Sequence, residues 1–322
     1  MRSIFHRFVV LVLAGMALCI TATIAAGAEP SWRTVAPTLT EQGYAVAAAG
    51  LNGQVYLFGN RPGYRTVAST NEVYDPAKNA WAMLPPMNPG RFAMGVASLN
   101  GKIYILGGNT PGIGVRCLNQ VYDPATSTWT TLAPMPLGGE NIAAAAGPDG
   151  KVYVFGGDRK NWGVDGVGDL KSVQVYDPTT NTWTYNRDLP APLTSSAATL
   201  GSNGRIYLIN GYNRRSTGDK GVWAYDTSAG TFTQVASLNW WEEGLGAAPG
   251  KGVIYAIGGL HVGVVGNVEV YNIASNSWSK GPQMPHGKDR EGVAETPDGT
   301  IYAISGLDPS LDTTQTVYAL NP

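Results

Sequence analysis

One phrase recurs six times along this chain. It has a tyrosine inside a short apolar run, a small-residue pair (Gly-Gly in its clearest copies) three and four residues later, a second tyrosine, and an aromatic seven residues beyond that. The clearest copy reads Lys102-Ile-Tyr-Ile-Leu-Gly-Gly108, then Gln120-Val-Tyr-Asp-Pro124, then Trp129. The first tyrosine returns at Tyr56, Tyr104, Tyr153, Tyr207, Tyr255 and Tyr302, in steps of 48, 49, 54, 48 and 47 residues. A period near 50 constrains the fold more than any compositional figure does. Each copy is one unit that can bury its two faces only against its neighbours.

The second tyrosine falls at Tyr74, Tyr122, Tyr176, Tyr225, Tyr271 and Tyr318, followed by Trp81, Trp129, Trp183, Phe232 and Trp278. The sixth aromatic would lie past Pro322. Trp32, in Ser31-Trp-Arg-Thr-Val-Ala-Pro37, stands 49 residues before Trp81 and fits the missing position. The copies are therefore circularly permuted, and Trp32 to Val35 is expected to pair beside Thr316 to Leu320.

Each copy reads as four strands. In the second copy these are Gly95 to Leu99, Ile103 to Leu106, Asn119 to Tyr122, and one carrying Thr128 to Thr131. Asn100-Gly101 predicts a two-residue hairpin turn of the kind that matches strand twist. The same turn is expected at Asn52-Gly53, Asp149-Gly150, Asn203-Gly204 and Asp298-Gly299.

These residues and spacings resemble the kelch repeat, and the likeness covers essentially all of the chain after residue 28. Asn210 and Phe232 in the fourth copy are the visible departures. The resemblance, to a secreted bacterial-type kelch protein, implies an all-β fold. That fold is a six-bladed kelch β-propeller with four antiparallel strands per blade, the last blade closed by the N-terminal strand. About activity it implies little, since one scaffold carries many functions.

The chain starts with Arg2, His6 and Arg7, an apolar run from Phe8 to Ile20, and Ala26-Gly-Ala28. This predicts a secretory signal peptide over 1–28 and the propeller over 29–322. It also predicts no membrane span after cleavage and a periplasmic or extracellular location. Cys117 is then the one remaining cysteine, so no internal disulfide is expected, and a small buried apolar role is its default. A formal net charge of −1 gives no reason to expect nucleic acid as a partner. A monomer is expected.

From first to second tyrosine the count is 18, 18, 23, 18, 16 and 16, while the other intervals barely change. Length variation therefore concentrates between strands two and three. Those loops should open on the same face as the crossings from strand four to the next strand one, and any site is expected there. The loops carry Arg61, Arg65, Arg116, Arg159, Trp162, Arg214 and Arg215. The crossings add Arg91, Glu140, Trp240, Trp241, Glu242, Glu243, His286, Asp289, Arg290 and Glu291.

Guanidinium forks suit carboxylates and polyols, and an indole face suits a sugar ring. The expected ligand is a glycan or a protein, with an acidic sugar, an oligosaccharide or an acidic peptide in view. The candidate ligand-binding residues are Arg91, Arg116, Trp162, Arg214, Trp241, Glu243, His286 and Arg290. Two plainer readings compete: arginine–glutamate pairs that only neutralise one another, and a tryptophan plug over the channel mouth.

Catalytic sets are sparse. Secreted kelch proteins similar to galactose oxidase build a copper site from histidines, tyrosines and a cysteine. Only His261 and His286 follow the leader, so no metal and no cofactor is expected. Some periplasmic kelch propellers are sialic acid mutarotases. That resemblance implies an alternative, an isomerase acting on a sugar acid. Glu140, Glu243 or Glu291 would be its general acid or base, with Arg91 or Arg290 on the carboxylate.

Overall fold

The computed structural model describes residues 30–322 apart from 42, 44, 61–67, 160–167, 212–218 and 241. The leader expected over 1–28 lies outside the described residues. Among those described, the strands form six four-stranded antiparallel sheets and one small hairpin, Asn109–Thr110 with Gly114–Val115. In blade two, Gly95–Leu99, Lys102–Leu106, Asn119–Asp123 and Thr128–Thr131 follow one another across the sheet. The first strands of blades one to six are Ala47–Leu51, Gly95–Leu99, Ala143–Ala146, Ala197–Leu200, Gly246–Pro249 and Gly292–Glu295. Each touches the next, and the sixth touches the first, so the cycle closes around an axis.

The closure is made as the permuted repeat requires. Ser31–Val35 is the outer strand of blade six, pairing antiparallel with Val317–Asn321 in the register Trp32 to Leu320 and Val35 to Val317. A ring sealed this way leaves no first and last sheet to expose unpaired faces.

Aromatic residues hold blade to blade. The first tyrosine of one blade meets the second tyrosine of the next: Tyr56 with Tyr122 at 6.2 Å, Tyr104 with Tyr176 at 5.9 Å and Tyr207 with Tyr271 at 5.6 Å between centroids. Across the closure Tyr302 meets Tyr74 at 5.5 Å. These rings are buried, and each is worth roughly 1.5–3 kcal/mol in removed apolar surface.

The tryptophans add a polar latch. The indole N–H of Trp81 donates to Ala36 O, that of Trp183 to Ala133 O, that of Trp278 to Ala236 O, and that of Trp32 to Pro282 O. Asn79, Asn181 and Asn276 complete the latch. Each accepts a tyrosine hydroxyl and a backbone N–H at the junction with the previous blade. In blade four, Phe232 and Gly230 replace the tryptophan and the asparagine. Phe232 still packs on Tyr225 at 4.6 Å, but the buried Tyr225 hydroxyl has no partner there.

Two expectations are corrected. The hairpin turns are of two kinds. At Asn52-Gly53 and Asn100-Gly101 both residues are left-handed, whereas at Asp149-Gly150, Asn203-Gly204 and Asp298-Gly299 only the glycine is. The latter are longer loops, closed for example by Gly147 N to Lys151 O. The aspartate or asparagine there uses its side chain instead, as Asp149 does on the Tyr153 hydroxyl. Cys117 is also not a buried apolar filler: it is exposed, on the loop before the third strand of blade two.

Candidate functional site

The crossings and the strand two-to-three loops do share one face. Short bridges tie them together: Phe92 with Asn109, Glu140 with Asp158, Glu243 with Leu260, and Asp289 with Leu307. Where each crossing turns down into its first strand, one residue adopts a left-handed backbone. These six are Ala45, Ala93, Asn141, Ser195, Gly244 and Arg290, with φ between 52° and 69°.

Their peptide groups form a closed ring. Ala93 N donates to Ala45 O, Asn141 N to Ala93 O, Ser195 N to Asn141 O, Gly244 N to Ser195 O, Arg290 N to Gly244 O, and Ala45 N to Arg290 O, at 2.9–3.4 Å. The turned backbone aims each N–H sideways at the neighbouring blade rather than along its own sheet. A cavity of about 110 Å³ lies at this ring, lined by the six ring residues and the six that follow them. It has room for a few waters at ~30 Å³ each. The following residues make a collar of Val46, Met94, Ile142 and Leu245, broken by Ser196 and Glu291.

Glu291 is the anomaly of that collar. It is buried, and neither carboxylate oxygen has a hydrogen-bond partner outside its own residue. Its side chain lies against Gly258 of blade five. Burial, reinforced by Asp289 and Glu242, holds its pKa well above the ordinary carboxylate range. Burial likewise raises Glu242 to about 7 and Asp289 to about 6. Lys288, beside them, is lowered to about 8 by burial. Ionisable groups thus gather at the seam between blades five and six.

The candidate residues do not all meet. Arg91 is fully buried and cannot reach a ligand. Its guanidinium donates to Gly107 O at 2.7 Å and Gln120 Oε1 at 2.6 Å, and burial lowers its pKa to about 9. Lys288 does the same work in blade six, donating to Ser305 O and Thr316 O. Arg116 is half-buried and does not line the cavity. His286 is exposed and does not line it either.

Arg290 and Glu243 are brought together, 3.5 Å apart and each about a quarter exposed, and Arg290 also donates to Asp289 at 3.0 Å. Glu140 is buried and accepts from Asn109 Nδ2 at 2.8 Å. Trp162, Arg214 and Trp241 lie outside the described residues. Trp240 is exposed and meets His261 edge-on at 6.2 Å. Trp240 does not line the cavity at the ring. Among the described residues, no three His, Cys, Asp or Glu side chains come together as a metal ion would need.

Sequence reading missed the apolar tips on this face. Leu39, Ile113, Val262 and Leu311 are exposed and stand on its loops and crossings, beside Trp240, which the sequence had singled out. It also missed what fixes the crossings. Glu72 accepts the N–H groups of Leu39 and Thr40, Gln174 that of Leu137, and Glu269 those of Asn239 and Trp240. The signal was available: all three stand two residues before the second tyrosine.

A closed ring of six sheets with a loop-built mouth defines a repeat scaffold that presents a surface. The chain belongs to the kelch-repeat family. The model of the KLHDC2/KLHL20/DRC7 Kelch-repeats domain matches residues 43–239, and that of the Kelch motif matches 244–285. Among curated proteins it is similar to Kelch-like protein 35 of Mus musculus, 27% identical over 54% of this chain and 28% of that protein. It is also similar to Kelch-like ECH-associated protein 1B of Danio rerio, 33% identical over 31% of this chain and 18% of that protein. The matched stretch spans 28% of the first relative's length and less of the next two. The solved structure of YjhT aligns with a TM-score of 0.72 at 18% identity, over 88% of this chain and 96% of that one, a likeness of fold.

Proposed function

We propose that this propeller is an exported binding module that docks a protein partner on its mouth face. One observation carries the reading. Of the seven large apolar side chains exposed among the described residues, five stand on that face, and only Met83 and Tyr185 lie on outer strands. Apolar tips grouped on loops over a fixed scaffold are the usual composition of a docking surface. A glycan is the competing ligand, favoured by the exposed indole of Trp240. The test places a photo-crosslinking residue at 113 or 262, and at 185 as control, in the protein incubated with extract from its own compartment. Protein adducts from 113 and 262 but not from 185 support the reading. Adducts from 185 alone, or glycan-array binding with no protein adduct, overturn it. Export is tested separately, by the N-terminus of the protein recovered outside the cytoplasm.

A sugar-acid mutarotase remains as a second reading because Arg290 and Glu243 stand paired and partly exposed at the mouth. Of the three carboxylates considered, Glu243 alone is not buried. Anomer exchange of a sialic acid followed by NMR, with Glu243→Gln as control, decides it.

A further inference from the structure

We propose that one sector of the mouth, built by blades five and six and the crossing into blade one, docks a protein segment presenting basic and apolar side chains together. This deepens the mouth-face reading and rests on it.

The sector is continuous. Trp240 meets His261, next to Val262. The Val262 loop is tied to the crossing before blade six by Lys288 N to Val265 O. That crossing is bridged at Asp289 to Leu307, and Leu307 to Thr313. The Thr313 hydroxyl donates to Glu41, while Thr38 N donates to Gln315 O at 3.1 Å. Four of the five apolar tips of the face fall on this arc: Trp240, Val262 at 93% exposure, Leu311 at 61%, and Leu39.

Among the described residues, the charge this arc turns to solvent is acidic. Glu41 and Asp312 are exposed, and Asp308 is half-exposed. Against them, Lys288 is buried on backbone carbonyls, and Arg290 is engaged by Asp289 and Glu243. Lys280 and Arg33 stand off on the outermost strands of blades five and six, Ser277–Lys280 and Ser31–Val35, and Lys251 lies in the turn between the first two strands of blade five. His261 and His286 are the other basic side chains there. An acidic peptide would meet carboxylates close to the apolar tips. A segment carrying lysine or arginine between apolar residues would neutralise them while covering Val262 and Leu311.

The test uses two synthetic probes, a peptide of alternating leucine and lysine and its leucine–glutamate counterpart. Binding to the whole protein is read by fluorescence anisotropy at low and moderate salt. The leucine–lysine peptide is expected to bind, and to weaken as salt rises. Val262→Ser with Leu311→Ser should weaken it about tenfold, and so should Glu41→Gln with Asp312→Asn, while both variants keep the parent's melting curve. Equal or tighter binding of the leucine–glutamate peptide overturns the proposal. So does leucine–lysine binding that neither double variant changes. A crosslinked partner whose contact segment is acidic would also overturn it, and would leave the mouth-face reading intact.

Discussion

Ala45 N donates to the carbonyl oxygen of Arg290 at 3.0 Å, joining blade one to blade six at the channel mouth. That single bond turns five consecutive backbone contacts into a closed circle. Every left-handed turn at the mouth is held by the neighbours on both sides. A change at one should be felt around the ring.

Ala93 tests this. Its φ of 55° is tolerated by alanine at a cost, and a β-branched side chain tolerates it far less. Ala93→Val is expected to destabilise by about 2 kcal/mol or more. Urea denaturation followed by tryptophan fluorescence reads it, and an unchanged midpoint would show the ring to be slack.

Trp32 tests the closure. Replacing it with alanine removes the indole bond to Pro282 and its packing on the blade five–six cluster. A loss of about 2–4 kcal/mol is expected, in the range for large-to-small changes at partly buried aromatics. A loss below ~0.5 kcal/mol would mean that the outer strand merely rests on blade six.

Arg91 and Lys288 make the same kind of backbone bond in different blades. Arg91→Ala should cost about 3 kcal/mol or more, because Gly107 O and Gln120 Oε1 lose a charged donor in the interior. Arg91→Lys should recover part of that loss. Neither change should alter ligand affinity once the protein is folded, and equilibrium denaturation beside a binding titration separates the two effects.

The seam between blades five and six predicts a pH dependence. In the unfolded chain Asp289 and Glu242 release protons near 3.8 and 4.5, and in the folded one near 6 and 7. Their carboxyls are raised, so the folded molecule holds extra protons between those values. Their contribution to stability is greatest below the unfolded values and falls as pH rises from about 4 to about 7, with Glu291 extending the fall. Lys288 is shifted the other way. It binds fewer protons folded than unfolded only above about 8, so it does not offset the fall. Melting temperature should drop between about pH 4 and 7, and Glu291 carries the drop further up. Glu291→Leu, which places at this position the side chain that Leu245 supplies in blade five, should flatten the drop. It should also stabilise the protein at about pH 8 by about 1–3 kcal/mol.

Most of the architecture was legible because propeller packing is periodic. The tyrosines, the tryptophans and the closure by Trp32 recur at intervals that any ring of blades must repeat. The turns were less legible. Asn-Gly and Asp-Gly look alike in sequence, but only Asn52 and Asn100 among these take the left-handed backbone, while Asp149 spends its side chain on Tyr153. The site was read least well. Arg91 and Arg290 are the same residue type on equivalent crossings, yet one faces the interior and the other the mouth. Arg91 stands two residues before its crossing's left-handed turn at Ala93, whereas Arg290 is itself the turn.

The spacing of the repeated side chains settles how many blades there are, where each begins, and which two strands must pair to close the ring. Repeated side chains at repeated spacings can bury themselves in only one cyclic arrangement. Tertiary structure decided which charges face water and which are sealed in. That outcome depends on how each crossing turns into its blade, and on whether a carbonyl, a carboxylate or an apolar side chain from the neighbouring blade waits there. Glu291 shows the difference: in sequence it is one more acidic loop residue, and in the ring it holds a place where four other blades put an apolar side chain.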